Sequence, residues 1–384
     1  MLTLKNPLTA TALAASLTTT LAISLASLAP PASAQTQDPR EAIRAAVGNA
    51  LRPLLGDSSA GVVERLATIK PDGALSRNFD VGRITSAVFG RSATNAAADC
   101  RNTATAAKEP DTGLCVIDAG SRDSETGAYT MLAFSKTIGI GDVMFVRRPA
   151  FNPNSDSLPT PAKLTDSQAY DQAMKFMALL GVPKSEIPLP PQNAKNLLPV
   201  RSLVAGAADE RGGNNSSRVT IHKVVTLPRA FVVPGGLLRD PATGLVLNHV
   251  IAPGSATLTV NDAGVQFARL DGWSDAQMDP QADPRRAKST ADLITEITDD
   301  LYGDGVRRVG TLSVLVALRR AYPNPEDPNP PLCPVCGVLR PALQVMVSQL
   351  GAGAVATSER SYSAPGLLRE YDLVAPTEAE RPAR

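Results

Sequence analysis

One arrangement constrains the fold of this chain more than any other: a sharply capped helix followed by short β-branched runs, and it occurs twice. Leu164-Thr165-Asp166-Ser167-Gln168 has the form of a capping box, with an apolar residue ahead of it. Ala169, Tyr170, Ala173, Met174, Met177 and Leu180 then recur at spacings of three and four, which puts them on one buried stripe. Gly181 ends this helix and Pro183 blocks its restart. Strand-like runs follow at Val200–Val204, Val219–Val225, Phe231–Val233, Leu245–Val250, Ala256–Val260 and Val265–Leu270, divided by Gly, Asn, Asp or Pro, with Asn261-Asp262-Ala263-Gly264 composed as a hairpin turn. The order repeats when Ser289-Thr290-Ala291-Asp292 caps a helix burying Leu293, Ile294, Ile297 and Leu301, with Gly303 as its stop. Leu312–Leu318 and Leu343–Val347 follow as strong strands, and Ala354–Thr357 and Leu373-Val374 as weaker ones. The expected fold is α+β: two lobes, residues 161–284 and 285–384, each a helix packed on its own antiparallel sheet.

Residues 35–160 read as a helical and irregular N-terminal region with a small antiparallel sheet. Asp38-Pro39-Arg40-Glu41 supplies an N-cap and a first-turn proline, and Ile43, Ala46, Val47, Ala50 and Leu51 form one apolar face up to Pro53. Val62–Ile69 and Val81–Phe89 are further ordered pieces, and Leu114–Ile117, Tyr129–Phe134 and Val143–Val146 are strand-like.

Ahead of this region, residues 1–34 have the build of an export signal. Lys5 gives the positive start, Thr9–Leu28 the apolar middle, and Ala32-Ser33-Ala34 the small-x-small pattern for cleavage after Ala34. Pro30-Pro31 and the interspersed Thr and Ser argue against a retained anchor, so no membrane span is expected once the leader is removed. The expected location is secreted or periplasmic. An oxidising compartment makes the four cysteines candidates for two disulfides, and proximity favours Cys100 with Cys115 and Cys333 with Cys336. The 38 Lys plus Arg stand against 37 Asp plus Glu, and a chain lacking Lys5 has equal numbers of each. Such a balance argues against a nucleic-acid partner, whose phosphates need a local excess of Lys and Arg.

The stretch from Leu164 to Pro188, L-T-D-S-Q-A-Y-D-Q-A-M-K-F-M-A-L-L-G-V-P-K-S-E-I-P, resembles the alanine-spaced helix ending in L-G that introduces PepSY-type modules of exported bacterial proteins. Thr259-Val260-Asn261-Asp262-Ala263-Gly264-Val265, ending at Trp273, is similar to the strand, turn and strand of those modules, although Gly264 and Val265 are adjacent here. Leu318–Tyr322 with Leu339-Arg340-Pro341-Ala342-Leu343 is similar to a late A-Y and P-A segment of multi-module members. The resemblance covers about Leu164 to Ser348 and departs from a compact module in the Gly206–Asn215 insertion. It implies a cystatin-like α+β fold, an extracytoplasmic setting and a role in binding or inhibiting, without a catalytic constellation.

The candidate chemistry is sparse. Cys333-Pro334-Val335-Cys336 could be a redox pair, half of a zinc knuckle or a structural disulfide; no helix follows to lower a thiol pKa and no matching knuckle exists, so the disulfide is favoured. His222 and His249 lie in strand-like runs and read as half-buried residues rather than metal ligands. Gly56-Asp57-Ser58-Ser59-Ala60-Gly61 lacks the spacing of a nucleophile elbow and reads as a turn. Asp299, Asp300 and Asp304 lack the calcium-loop spacing. Asn214 and Asn215 open two overlapping glycosylation sequons. No catalytic, cofactor-binding or metal residue is assigned. The expected function is an exported, non-catalytic binding or interaction protein whose partner is another exported protein or an envelope component, presenting the exposed sheet face or the loops 206–215 and 324–334. A secreted hydrolase with dispersed carboxylates and a thiol redox protein using the Cys333–Cys336 pair are the alternatives.

Overall fold

The computed structural model describes residues 38–71, 74–89, 114–118, 129–135, 141–148, 162–188, 198–205, 219–239, 246–321, 337–349 and 367–376. The leader, Cys100, Cys333, Cys336, Asn214, Asn215 and the loops 206–215 and 324–334 lie outside the described residues. Among the described residues no helix is long and apolar enough to cross a membrane.

Among the described residues the α-helices are α1 (Pro39–Leu55), α2 (Ala60–Ala67), α3 (Ala74–Asn78), α4 (Val81–Phe89), α5 (Asp166–Leu179) and α6 (Thr290–Gly303), of which α1, α5 and α6 start at the side-chain caps Asp38, Thr165 and Ser289. Thr165 Oγ1 accepts from Gln168 N at 3.2 Å while Thr165 N donates to Gln168 Oε1 at 2.9 Å, closing the expected capping box of α5. Ser289 Oγ accepts from Asp292 N at 3.1 Å to start α6. α1 runs through Pro53 and stops at Gly56, whose N–H reaches Arg52 O at 2.9 Å. A proline this near the C-terminus breaks only the final turns of the bonding pattern, which is why it did not end the helix at Leu51.

The strands are β1 (Leu114–Asp118), β2 (Tyr129–Ser135), β3 (Val143–Arg148), β4 (Val200–Ala205), β5 (Val219–Val232), β6 (Leu238–Arg239), β7 (Val246–Leu247), β8 (His249–Asn261), β9 (Gly264–Asp271), β10 (Val309–Ala321), β11 (Val338–Gln349) and β12 (Leu367–Asp372). Ten of them form one sheet in the order β1-β2-β3-β9-β8-β10-β11-β12, with β4 and β5 added on the other edge of β8, and β6 and β7 form a separate ribbon. Neighbours are antiparallel except β8 and β10, which are parallel. This corrects the α+β expectation of two lobes with a sheet each: one mixed sheet dominates and carries the described helices.

The physical reason lies in two prolines. Pro228 lies in the gap between the expected runs Val219–Val225 and Phe231–Val233, and Pro253-Gly254 in that between Leu245–Val250 and Ala256–Val260, yet β5 runs from Val219 to Val232 and β8 from His249 to Asn261. The register between them shifts at this point, from Pro228↔Ser255 to Arg229↔Ala252. A bulge needs no regular ladder donor, so a proline can sit there inside a continuous strand. Gly254 at φ +127° lets the bulged backbone pass within 3.2 Å of Arg229 Cδ, measured from where a Cβ would stand. The continuous β8 then joins both expected lobes, pairing with β9 from Ser255 onward and with Ala317 of β10 through Ile251.

Two apolar clusters line the sheet. The first joins α1, α2 and α6 to β10, β11, β12 and the near ends of β5 and β8, including Ile43, Leu51, Val63, Phe231, Val250, Ile297, Leu343 and Leu373. The second joins α3, α4 and α5 to β1, β2, β3, β9 and the far ends of β5 and β8, including Ile84, Phe134, Phe145, Met177, Leu227, Leu258 and Trp273. The α5 stripe is Ala169, Ala173, Phe176, Met177 and Leu180, with Tyr170 and Met174 packed against it.

Candidate functional site

Side chains along a strand alternate between faces, so parity decides what each residue meets. On β5, Val225 and Leu227 enter the second cluster and Phe231 enters the first, all at odd positions. Both clusters, and all six described helices, therefore lie on one side of the sheet. The register carries the opposite face across every strand: Val116 on β1 faces away from the buried Cys115 and Ile117, and Leu368 on β12 pairs with Met346 on β11. Among the described residues the large apolar side chains that stay exposed are Val116, Leu203, Val232, Leu315 and Leu368, from 39% to 56%. All five lie on the other face, which carries no helix among the described residues and is the helix-free face in that sense.

The charges on that face largely cancel within it. Arg269 Nε donates to Asp271 Oδ1 at 2.7 Å, and Arg319 forks onto both carboxylate oxygens of Asp372. Thr257 on β8 pairs with Arg269 on one side and Thr226 of β5 on the other, with Thr259 two positions along β8. An apolar, threonine-rich surface with paired charges suits a neutral partner surface better than a polyanion.

On the helix side a buried polar knot fills the seam between the clusters. Arg229 and Glu186 are 2% and 3% exposed. Glu186 Oε2 accepts from Arg229 Nε and from the Trp273 indole Nε1, each at 2.9 Å, while Arg229 Nη1 donates to Ser274 O at 2.5 Å. The Arg229 guanidinium lies 5.0 Å from the Phe231 ring centroid and 6.0 Å from that of Trp273. Burial pulls its pKa below the ordinary arginine value, and the Glu186 carboxylate opposes the pull. Arg320 closes the knot from β10, donating through Nη2 to Gly272 O at 2.7 Å and Ser274 Oγ at 2.8 Å. Gly141 is fixed here because a Cβ would stand 2.0 Å from the Trp273 carbonyl carbon. The sequence reading missed this knot; its signal was an arginine inside an apolar run, at the parity of the buried face.

The residues singled out in the sequence do not converge. His222 pairs across to Leu203 and His249 to Val232, ten residues apart along β5. At about 3.3 Å per residue the two imidazoles are roughly 33 Å apart, too far to share a metal. Burial lowers the pKa of both, and His222 Nδ1 is buried without a hydrogen-bond partner. Asp299 is held by Arg40, Asp300 accepts from the Tyr371 hydroxyl at 2.7 Å, and Asp304 lies 2.6 Å from Arg369 Nη2. Among the described residues no three His, Cys, Asp or Glu gather as a metal site. The 56–61 turn ties chain ends together: Asp57 O accepts from Thr290 N at 3.0 Å, and Ser59 Oγ reaches Lys288 O and Leu373 O, each at 2.9 Å. Cys115 is buried in β1 and disulfide-bonded, its partner lying outside the described residues. Among the described residues the buried carboxylates are Glu186 and Asp279, each committed to an arginine, Asp279 through Arg340 Nε at 2.6 Å.

No protein-family description and no curated protein matches the chain. Among solved structures, an uncharacterized protein from Eubacterium rectale is similar over 77% of this chain and 79% of its own, at 11% identity and a TM-score of 0.33.

Proposed function

We propose that this chain is an exported binding or interaction protein that presents the helix-free face of its sheet to another exported protein or an envelope component. One observation carries the reading: every large apolar side chain left exposed among the described residues lies on that single face. Apolar groups left exposed on one face only, instead of on every side, suit that face to a partner surface. The leader at residues 1–34 and the resemblance of residues 164–348 to PepSY-type modules support the extracytoplasmic setting and the binding role. Local disulfides, Cys100 with Cys115 and Cys333 with Cys336, belong to the same reading.

Photo-crosslinking tests it in the full exported chain. A photoreactive residue at Val116, Leu203 or Leu368 should trap a discrete partner from the exported fraction, while the same group at the helix-side positions Glu64 and Lys175 should not. Leu203→Glu with Leu368→Glu should abolish the trapping. Equal trapping from both faces would remove the assignment, and turnover of a small substrate abolished by one carboxylate substitution would replace binding with catalysis.

A further inference from the structure

β10 runs for 13 residues, and β11 pairs with it along its length. Its other edge is used very differently: β8 meets it at one register position, Ala317 with Ile251. Parallel register sets His249, the first residue of β8, beside Leu315, so the residues ahead of His249 would continue the pairing from Ser313 towards Val309. They turn away. Val246 and Leu247 instead pair with Arg239 and Leu238 in the β6–β7 ribbon. That ribbon is held to the helix layer, because Leu237 is buried in the first cluster and its carbonyl accepts from Arg65 Nη1 of α2 at 2.7 Å. Among the described residues, β10 from Val309 to Val314 thus has an edge without a backbone partner, although it stands inside the sheet order.

A row of unpaired N–H and C=O groups is complemented by another extended backbone. Side chains beside the edge state what that segment should carry. Leu312 and Val314 pack against the first cluster, above α1, whereas Thr311, Ser313 and Leu315 face away from the helices. At the start of β10, Arg307 is spent on Tyr302, donating to its carbonyl at 2.7 Å with the guanidinium 4.2 Å from the ring centroid. Arg308 next to it is exposed and makes no ion pair among the described residues.

We propose that the Val309–Val314 edge of β10 is a strand-addition site that takes an extended segment of a partner protein, apolar at alternate positions on the helix side and with a carboxylate beside Arg308. The proposal rests on the binding reading above and gives the partner its chemistry. A second copy fits less well, because its own β10 arrives with β11 along the other edge and α1 packed beneath.

The probe is a fluorescent peptide of about eight residues, the length of an ordinary strand, alternating Val and Thr with Asp at one end or the other. It is titrated into the full exported chain by fluorescence polarisation, with hydrogen exchange read in parallel. Binding should saturate and slow the amides of residues 309–315 by about tenfold or more, and N-methylating alternate peptide nitrogens should weaken it by about tenfold, because backbone donors carry the affinity. Arg308→Glu should weaken the better Asp-ended peptide by about fivefold and leave an Asp-free one within about twofold, as a rim charge does. Equal binding of the N-methylated peptide overturns the proposal. So does protection of 309–315 without peptide, by the chain's own segment in a monomer or by a second copy in a dimer. Failure of the probe while Leu203→Glu with Leu368→Glu still abolishes crosslinking removes the edge site alone; loss of face-specific crosslinking removes the reading beneath it.

Discussion

The cluster beneath β10, β11 and β12 joins Ile43 of α1 to Val374 near the other end of the chain, whereas the cluster beneath β1, β2, β3 and β9 closes between Leu75 and Trp273. Their chemistry differs accordingly. The second cluster is aromatic, with Phe79 and Phe134 at 5.2 Å and Phe145 and Phe176 at 5.1 Å between ring centroids. The first is mostly aliphatic and is ringed by directional ties between distant segments: Arg40 to Asp299, Arg319 to Asp372, Arg340 to Asp279 and Ser59 to Leu373. Closing long loops costs more chain entropy, and non-directional apolar burial does not choose which distant segments meet. The polar ties supply that choice at the chain ends, while the shorter-range cluster is specified by ring packing.

The sharpest way to break this contrast is at the seam, where Arg229 touches both clusters. Glu186→Ala leaves a buried guanidinium unpaired and should cost about 3–5 kcal/mol in urea unfolding. Glu186→Leu with Arg229→Met removes both charges and should cost much less. Hydrogen exchange in the single variant should loosen both clusters together. Loosening confined to the aromatic cluster would show that the knot belongs to one side only.

A smaller effect sharpens the comparison from within each core. Met177→Ala in the aromatic cluster and Ile297→Ala in the aliphatic one should each cost about 2–5 kcal/mol, since both side chains are fully buried. β5 and β8 pass through both clusters, so either truncation should shift one cooperative transition. Two separate transitions would mean that the fused sheet does not couple them.

How much of this was legible in the sequence follows the range of the interactions. The caps at Asp38, Thr165 and Ser289 are local, and each helix starts where they place it. The strand runs were legible as runs, but their fusion was not: Pro228 and Pro253 look like breakers unless the bulge between β5 and β8 is known, and a bulge is a property of two strands. The helix-free face was partly legible through alternation, yet which side the helices take depends on register across the whole sheet. The Glu186–Arg229 pair spans 43 positions, and no local pattern joins its halves.

The mildest test of the comparison is acid, because one histidine reports on each end of the shared strands: His222 sits where β5 meets β4, and His249 where β8 begins beside Val232. Burial holds both folded-state pKa values below the ordinary value, which unfolded histidine keeps at about 6.5. The unfolded chain therefore binds more protons as the pH falls through that value, so the histidine contribution is present in full above about pH 6.5 and is lost as the pH drops towards the folded-state values. For His222 the cause is concrete, since protonation places a second N–H on a buried Nδ1 that has no acceptor. Urea midpoints should fall between pH 7 and pH 5 more steeply for the native chain than for His222→Gln with His249→Gln, and the single variants should flatten amide protection around β4 and around the start of β8 respectively. Equal slopes for native and double variant would assign the acid sensitivity to carboxylates, and loss of protection in the same region from either single variant would show that the two ends of the sheet respond to protons as one.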